Sequence, residues 1–511
     1  MNAPRVLTRP LGASRLAAGA IAGTLPAGWM TPAPRGAAAW KAHAEAVRAD
    51  FAAQDWHRTL APAFAATGAA AARLASVAGG KGIVVTTGQQ PGLFGGPLYN
   101  WSKALSALAL ADALQRATGV PTAPVFWAAT YDADFAEAAV TFVAHDGEVE
   151  RLAMPAPQAE GIRMRDLPLG DVGDLASALE RAAGAAVDRA PLELLRASYG
   201  PGETVGSAYV KLLRGILEPL GIAVLDGGHP AVMGAGAPLL DRARTEASAV
   251  DAALLARDAE LAKAGFTPKV QHVKGLSLVF AVEGGKRRRV PIAGAPPTGT
   301  LEPNVLLRPV MERAILPTAA YLGGPGELAY FAQVSAVAAA LRVASPVALP
   351  RWAGMIVEPH VARILERYGM TAEDLEDPHA ADARLARRQM PPRVEAAIAH
   401  YRAALDTASR DLAAALAADR APLVPPPVPE GARRNIAHRL DRLERRLVAA
   451  VKHRERDLMH DLAVARASLF PLGKPQERML NVLPMLARHG TALLELMREA
   501  AAAHAARLVD G

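Results

Sequence analysis

The chain has 511 residues, of which 51% are hydrophobic and 21% charged, so it is not a disordered protein and can form two or more packed units. It contains no cysteine, which excludes disulfides, thiolate metal sites and a catalytic thiol. Lys and Arg (57) exceed Asp and Glu (50) by +7, an excess too thin over this length to indicate a nucleic-acid partner.

The N-terminal segment, residues 1–29, has early arginines but only a weakly apolar run of Gly and Ala. This does not fit a signal peptide, and we interpret the segment as mature sequence. The apolar stretches Ala104–Ala111 and Val334–Leu341 are far shorter than the ~20 residues that a membrane-spanning helix needs. We therefore expect a cytoplasmic protein with no membrane partner.

Strands and helices alternate in residues 1–150, which we predict to be the first part of a core. A strand at Gly82–Thr86 precedes a glycine-rich loop, a helix over Leu98–Gln115 and a strand at Val120–Ala128. Strands without polar alternation, each followed by a helix, predict a parallel sheet covered on both faces. The fold class is therefore α/β. The same pattern returns in two further core parts, 206–265 and 301–385.

Two segments interrupt the core pattern. Residues 151–205 form a connecting insert of mixed helix and loop, and residues 266–300 contain a predicted β-hairpin, Leu276–Val282 paired with Lys286–Ile292. Three arginines at 287–289 lie on its second strand. They could bind phosphate, although a charged, solvent-exposed strand edge is the commoner meaning of such a run.

Residues 386–470 predict an antiparallel coiled coil. Apolar residues step by four and three over 394–415, and a second seam over 436–469 has one step of four where three is due. The proline-rich run 422–429 ends the first helix. Alternating charges on the outer faces indicate a solvated surface first, self-association second and nucleic acid third. Residues 471–511 are predicted to be a C-terminal helical segment that returns to the core.

The segment Thr86–Pro97 joins a predicted strand to a helix with four glycines and no charge. Glycines let backbone N–H groups approach a ligand, and the following helix N-terminus favours an anion. We predict that it binds phosphate or carboxylate; the alternative is a tight turn without a ligand, since neither a Walker loop nor GxGxxG is matched. The candidate binding residues are Thr87, Gly88, Gln89, Gln90, Gly92, Gly95 and Lys103, the last of which could reach back to a phosphate.

Two acids follow the next predicted strand. Ligands of open α/β sheets bind beyond the carboxyl ends of the strands, so Asp132 and Asp134 are the candidate catalytic residues, able to hold a cation, an amine or a hydroxyl. Aspartate at a strand end is also a routine helix N-cap. We therefore expect one of the two to be only a cap.

A third turn, Leu316–Tyr330, contains Gly323-Gly-Pro-Gly326 and opens a helix with Glu327. This arrangement favours a ligand at the sheet edge, and Glu327 either caps the helix or binds an amine. Scattered histidines without HExxH predict no metal site. The candidate binding residues of this region are Arg308, Thr318, Gly323, Gly324, Gly326 and Glu327.

In this order, and followed by a coiled coil, the motifs resemble those of the cysteine-adding enzymes of bacillithiol biosynthesis, the cysteine ligases. The resemblance covers most of the chain and adds Tyr330 and Arg351 to the candidate binding residues. It implies a Rossmann-like, nucleotidyltransferase-like core with connecting inserts and a coiled coil that supports a homodimer. The carrying segments are 85–98, 124–127, 307–309, 316–330, 350–351 and 469–478.

The resemblance implies a ligase that forms a C–N bond. The family step is an amide between the carboxylate of L-cysteine and the amine of glucosaminyl-malate. By analogy, ATP with magnesium would activate the carboxylate, and no tightly bound cofactor is expected. The glycine loop would then hold phosphate or carboxylate, the two aspartates would orient the substrate, and the turn at 323–327 would close the site.

One departure from the family pattern lies in the acidic run. Where the family has Glu-Asp-His-Asp, this chain reads Tyr131-Asp132-Ala133-Asp134. The missing histidine leaves open a non-catalytic or substrate-shifted paralogue that binds a nucleotide or small metabolite and assembles through its coiled coil. A nucleic-acid-binding protein is supported only by the pI of about 9.7 and the arginines, and no nucleic-acid partner is predicted.

Overall fold

The computed structural model describes residues 3–157, 160–418 and 424–511. They form two compact units, the first made of Met1–Val143, Glu150–Val357 and Gln476–Gly511, and the second of Ala144–Val149 and Glu358–Pro475. Both predicted inserts therefore belong to the same unit as the core. The proline-rich run predicted at 422–429 begins outside the described residues.

Twelve strands are present in the described part of the chain. In chain order they are β1 (Arg5–Thr8), β2 (Ile83–Gln89), β3 (Thr122–Ala128), β4 (Val140–His145), β5 (Glu148–Ala153), β6 (Ala223–Asp226), β7 (Leu276–Glu283), β8 (Lys286–Pro291), β9 (Thr300–Pro303), β10 (Thr318–Gly323), β11 (Ala348–Pro350) and β12 (Gly354–Val357).

The α-helices of the first unit are α1 (Arg15–Ala22), α2 (Gly36–Asp50), α3 (Trp56–Phe64), α4 (Gly68–Val77), α5 (Leu98–Thr118), α6 (Phe135–Ala138), α7 (Gly173–Ala183), α8 (Ala190–Ser198), α9 (Val205–Leu217), α10 (Pro230–Thr245), α11 (Ala247–Lys263), α12 (Leu307–Ile315) and α13 (Pro325–Ala340). The second unit contributes α14 (Pro359–Tyr368), α15 (Pro378–Arg388), α16 (Pro392–Ala417), α17 (Pro427–Arg454) and α18 (Arg456–Leu469). The chain ends with α19 (Gln476–Met479), α20 (Leu483–His489) and α21 (Thr491–Asp510) in the first unit. No helix of the described ranges combines the length and apolarity needed to cross a membrane.

A five-stranded parallel sheet, in the order β11-β10-β2-β3-β6, forms the centre of the first unit. Its strands β2, β3 and β10 are buried almost throughout, as expected where helices cover both faces. The predicted Rossmann-like α/β core is confirmed. Strand β2 continues to Gln89, so the first residues of the predicted glycine loop belong to the sheet.

The strand order reverses at β2. Later strands add on one side as β3 and β6 and on the other side as β10 and β11. At such a switch point the connections leave in opposite directions and open a crevice at the carboxyl ends of the strands. Gln89 ends β2 and Gly323 ends β10, so the crevice lies between the glycine loop and the Gly323–Gly326 turn.

The predicted hairpin is confirmed as β7 and β8, and β9 adds a third antiparallel strand that the sequence did not predict. Gly284 and Gly285 both have positive φ, which the two-residue turn requires. Side chains alternate along β8: Arg288 is exposed, whereas Arg287 and Arg289 are half-buried. The expectation of a purely solvated charged edge therefore holds for only one of the three arginines.

In the second unit, α16 and α17 pair as the predicted antiparallel coil. Arg402 contacts Asp441 at 2.7 Å and Arg433 contacts Asp406 at 3.5 Å. The residue numbers therefore increase along α16 while those of the contacting residues decrease along α17, which makes the two helices antiparallel. The opposite charges predicted on the outer faces thus pair between the helices.

Two expectations about the second unit need correction. The second seam is not one continuous helix, because the chain leaves helical geometry at Glu455, after the extra step in the heptad pattern has turned the apolar stripe. Residues 358–385, which the sequence assigned to the core, lie in the second unit, where α14 packs on α18 and α15 packs on α17.

Candidate functional site

A cavity of about 590 Å³, here called the larger cavity, opens at the switch point within the first unit. Its wall comes from the ends of β2, β3 and β10, from α5 and α13, from β8 and β9, and from α19. A volume of this size suits a small-molecule ligand. The crevice predicted at the carboxyl ends of the strands is therefore present.

Lys103 contacts both sides of the crevice. Its ammonium donates to the carbonyl of Gly88 at 2.8 Å and to Oε1 of Gln89 at 2.8 Å, and it pairs with Glu327 at 2.6 Å. Burial lowers the pKa of Lys103, and the Glu327 carboxylate acts against that shift. All three ammonium protons have partners, so Lys103 orders the site rather than reaching for a phosphate.

Glu327 caps the helix that follows β10. Besides Lys103, it accepts hydrogen bonds from the hydroxyl of Tyr321 and from the N–H of Gly324, the latter at 2.7 Å. Burial alone would raise the pKa of the Glu327 carboxyl, but Lys103 and the two hydrogen bonds hold it below its usual value. Of the two roles considered for Glu327, the geometry favours capping over binding an amine.

Arg308 is buried beneath the same cavity. It donates to Glu312 at 2.6 Å, its guanidinium lies 4.7 Å from the ring centre of Tyr321, and Glu312 also accepts from the hydroxyl of Thr86. Burial raises the pKa of Glu312, against the effect of Arg308. This network stiffens the wall at β2 and β10.

The charges of the larger cavity fall into paired and unpaired sets. Within the described residues, Lys269, Arg289 and Arg478 form no ion pair, and neither do Asp132 and Glu137. The cavity therefore presents both signs of charge to a ligand. The pairs are Lys103 with Glu327, Arg287 with Glu302, Arg308 with Glu312 and Arg351 with Glu477.

The two candidate catalytic aspartates have different places. Asp132 lines the larger cavity, and its Oδ1 accepts from the N–H groups of Ala133 at 2.7 Å and Asp134 at 3.2 Å. Asp134 lines no described cavity and caps α6 by accepting from the N–H of Glu137 at 3.2 Å. The expectation that one of the two is a cap is confirmed, and Asp134 is that residue.

A second cavity of about 380 Å³, here called the smaller cavity, lies beside the first and also within the first unit. The two cavities share one set of lining side chains, namely Gln89, Gln90, Tyr99, Glu137 and Arg478. The rest of the wall of the smaller cavity comes from the glycine loop, α5, α6, β4 and α19.

The glycine loop is closed on itself. Gly95 donates to the carbonyl of Gly92 at 3.0 Å and Gly96 donates to that of Leu93 at 3.1 Å. Gly95 has φ +87°, and a Cβ there would come within 3.0 Å of the Trp101 ring. These glycines are required by packing, as in the tight turn considered as the alternative, and the glutamines line the cavities instead.

Most predicted binding residues come together at the larger cavity. Gly92 borders only the smaller cavity. Thr87, Gly95, Thr318 and Gly323 line neither, since they are buried in or against the sheet; the hydroxyl of Thr87, for example, donates to the carbonyl of Leu322 at 2.8 Å. Those that line the larger cavity are Gly88, Gln89, Gln90, Lys103, Arg308, Gly324, Gly326, Glu327, Tyr330 and Arg351.

Several lining residues did not emerge from the sequence as site residues. Tyr99, Lys269 and Arg478 stand outside the three predicted turns, and Glu137 was noted only as an acid near the aspartates. Because successive side chains of a strand point to opposite faces, the run of three arginines in the predicted hairpin could have indicated that two of them share a face. Among the described residues, no group of three or more His, Asp or Glu side chains could hold a metal ion.

The chain matches two family models that together span most of its length. The model "Bacillithiol biosynthesis BshC, N-terminal Rossmann-like domain" matches residues 57–295 and 293–352, and the model "Bacillithiol biosynthesis BshC, C-terminal coiled-coil domain" matches residues 354–507. The chain belongs to the BshC family. The resemblance inferred from the motifs is thereby confirmed.

Curated BshC relatives match across most of the chain. A protein of Koribacter versatilis is 33% identical over 445 residues, which cover 82% of this chain and 81% of the relative. A protein of Solibacter usitatus is 32% identical over 435 residues, covering 80% and 81% respectively. Both carry the name "Putative cysteine ligase BshC".

Proposed function

We propose that this BshC-family enzyme joins the carboxyl group of L-cysteine to the amine of glucosaminyl-malate in bacillithiol biosynthesis. The supporting observation is the charge pattern of the larger cavity, where Asp132 and Glu137 stand opposite in sign to Lys269, Arg289 and Arg478 without ion-pair partners among the described residues. Glucosaminyl-malate carries one ammonium and two carboxylates, so its charges complement this wall.

The malate end would lie against β8. Arg287 and Arg289 are two residues apart and therefore share a face of the strand. Arg287 is held in place by Glu302 at 3.0 Å and by the ring of Phe280, whose centre lies 3.7 Å from the guanidinium. Such fixed guanidinium groups suit the recognition of carboxylates. The sugar amine would then lie towards Asp132 and Glu137.

We propose ATP with magnesium as the source of carboxylate activation, which is the chemistry it would supply when bound. The side chains suited to the phosphates of ATP are the cations of the larger cavity. The glycine loop is less suited, because the N–H groups of Gly95 and Gly96 already donate to carbonyls of the same loop. Lys269 lies beside Gly326, where its Cε would be 3.8 Å from an added Cβ, at the N-terminus of α13. We assign no magnesium ligand to this chain.

The proposal includes a cytoplasmic location, where thiols such as cysteine stay reduced. It also includes a homodimer formed through the coiled coil. Large apolar side chains of α16 and α17 remain exposed, with Tyr401 at 56% and Leu443 at 50%. Exposed apolar residues on a coil suit a partner coil. Sedimentation should show a dimer that Leu443→Glu weakens, whereas an unchanged dimer would place the interface elsewhere.

The function is tested by incubating the purified protein with glucosaminyl-malate, L-cysteine, ATP and magnesium and following the thiol conjugate by mass spectrometry. Ala133 lines neither cavity, so we expect product from the natural chain and no faster formation by Ala133→His. Product from the variant alone would indicate a degenerate site. No product from either would favour the non-catalytic or substrate-shifted paralogue.

A further inference from the structure

The smaller cavity has a chemistry of its own. At about 380 Å³ it has room for a free amino acid. Val140, Phe142 and Met479 make one side apolar, and Asn100 lies on the wall that the larger cavity does not share. Arg478 lies on the wall that both cavities share. The unshared wall of the smaller cavity thus carries a neutral polar group, Asn100, whereas the shared wall carries both the guanidinium of Arg478 and the carboxylate of Glu137.

Asn100 carries a buried acceptor without a partner. The residue is 2% exposed, and its Nδ2 donates to the carbonyl of Gly95 at 3.0 Å, which fixes the orientation of the amide. The Oδ1 atom accepts no hydrogen bond from any described residue. A buried acceptor left without a donor is unfavourable, so a ligand that brings an N–H group is stabilised there.

We propose that the smaller cavity binds free L-cysteine, with its ammonium on Asn100 Oδ1, its side chain on the apolar wall and its carboxylate towards Arg478. The reverse orientation would place the carboxylate against the Asn100 carbonyl oxygen, which cannot donate a hydrogen bond to it. This inference rests on the proposed function. It puts the reacting carboxylate where the two cavities meet, next to the amine of an acceptor held in the larger cavity.

The test uses two variants that each fill one cavity at an exposed position. Ala136→Trp narrows the smaller cavity from α6, and Val305→Trp narrows the larger cavity from the segment after β9. Equilibrium binding of L-cysteine and of glucosaminyl-malate to the full chain is measured by calorimetry under reducing conditions. We expect Ala136→Trp to weaken cysteine binding at least about tenfold, and Val305→Trp to weaken only glucosaminyl-malate.

The opposite pattern, or cysteine binding that survives Ala136→Trp unchanged, would overturn the assignment. So would a natural chain that fails to bind L-cysteine with or without ATP. Because binding needs no turnover, the assignment can hold even if no conjugate forms, and it can fail while the ligase reaction proceeds.

A ligand series tests the orientation. Cysteamine lacks the carboxylate, so the natural chain should bind it about tenfold more weakly than L-cysteine. Arg478 is exposed, and Arg478→Met should remove most of that difference while the chain stays folded. N-acetylcysteine lacks the ammonium and should bind weakly to both proteins. Equal binding of L-cysteine and cysteamine to the natural chain would contradict the proposed orientation.

Discussion

Lys103 and Glu327 connect the two turns on either side of the switch point through a buried ion pair of 2.6 Å. Lys103 lies on α5, after β2, and Glu327 lies on α13, after β10. Because the ammonium also binds the end of β2 and the carboxylate also binds the Gly324 N–H, the pair fixes one turn relative to the other. Both residues act as positioning residues.

Replacement of Lys103 by methionine should destabilise the first unit. The change leaves the Glu327 carboxylate buried without its cation, for which we expect a loss of about 3–5 kcal/mol in the free energy of unfolding. Urea denaturation measures it. The double variant Lys103→Met with Glu327→Gln removes the uncompensated charge and should recover part of the loss. A single variant as stable as the natural chain would contradict this role.

Glu137→Gln should change the pH dependence of amide formation. The ammonium of the acceptor must lose a proton before its nitrogen can attack, and the Glu137 carboxylate lies where the two cavities meet. Partial burial raises the pKa of Glu137, and Asp134 and Asp132 raise it further. A base works only when deprotonated, so kcat should fall as the pH drops through this raised value.

Glu137→Gln should remove this fall in kcat at low pH, which is the acid limb of the pH profile, and should lower kcat by about 10²–10⁴-fold. Glu150→Gln, an exposed change on β5, is the matched control and should leave the profile unchanged. A profile that keeps its acid limb in Glu137→Gln would assign the limb to another group. The titratable groups that face Glu137 are Asp132, Asp134, Lys103, Arg478, Tyr99 and Tyr209.

The strands, the crevice and most of its glycine-turn residues were predictable because each depends on local sequence. Buried strand runs and their following helices identify β2, β3 and β10, and parallel strands bring their carboxyl ends together. Tyr99 could not be distinguished from a core aromatic residue. Arg478 reaches the cavities from the C-terminal segment through tertiary contacts that local patterns do not reveal. For the glycine loop the prediction of an anion site was less accurate, since the N–H groups of Gly95 and Gly96 donate to carbonyls of the same loop.

Arg289→Met should weaken the binding of the malate end. Loss of one guanidinium at β8 should raise KM for glucosaminyl-malate by about 10–100-fold and leave KM for L-cysteine unchanged. Arg288→Met is the control, because Arg288 is exposed on the opposite face of the same strand. With glucosamine as acceptor, which has no malate, natural and variant proteins should react equally. A larger effect of Arg288→Met would show that the malate end lies elsewhere.

Arg351→Lys should affect cysteine binding from a distance. Arg351 donates two hydrogen bonds to Glu477, at 2.8 and 2.7 Å, and Glu477 precedes the Arg478 and Met479 of the smaller cavity. Lysine cannot form this paired geometry, so α19 should be held less firmly.

We expect KM for L-cysteine to rise about tenfold in Arg351→Lys, with a smaller change in KM for glucosaminyl-malate. Steady-state kinetics with each substrate varied in turn measure the difference. Glu477→Gln keeps the shape of the side chain and weakens the same contact, so it should reproduce the selectivity. Equal effects on both substrates would mean that Arg351 acts on the larger cavity, which it also lines, rather than through α19.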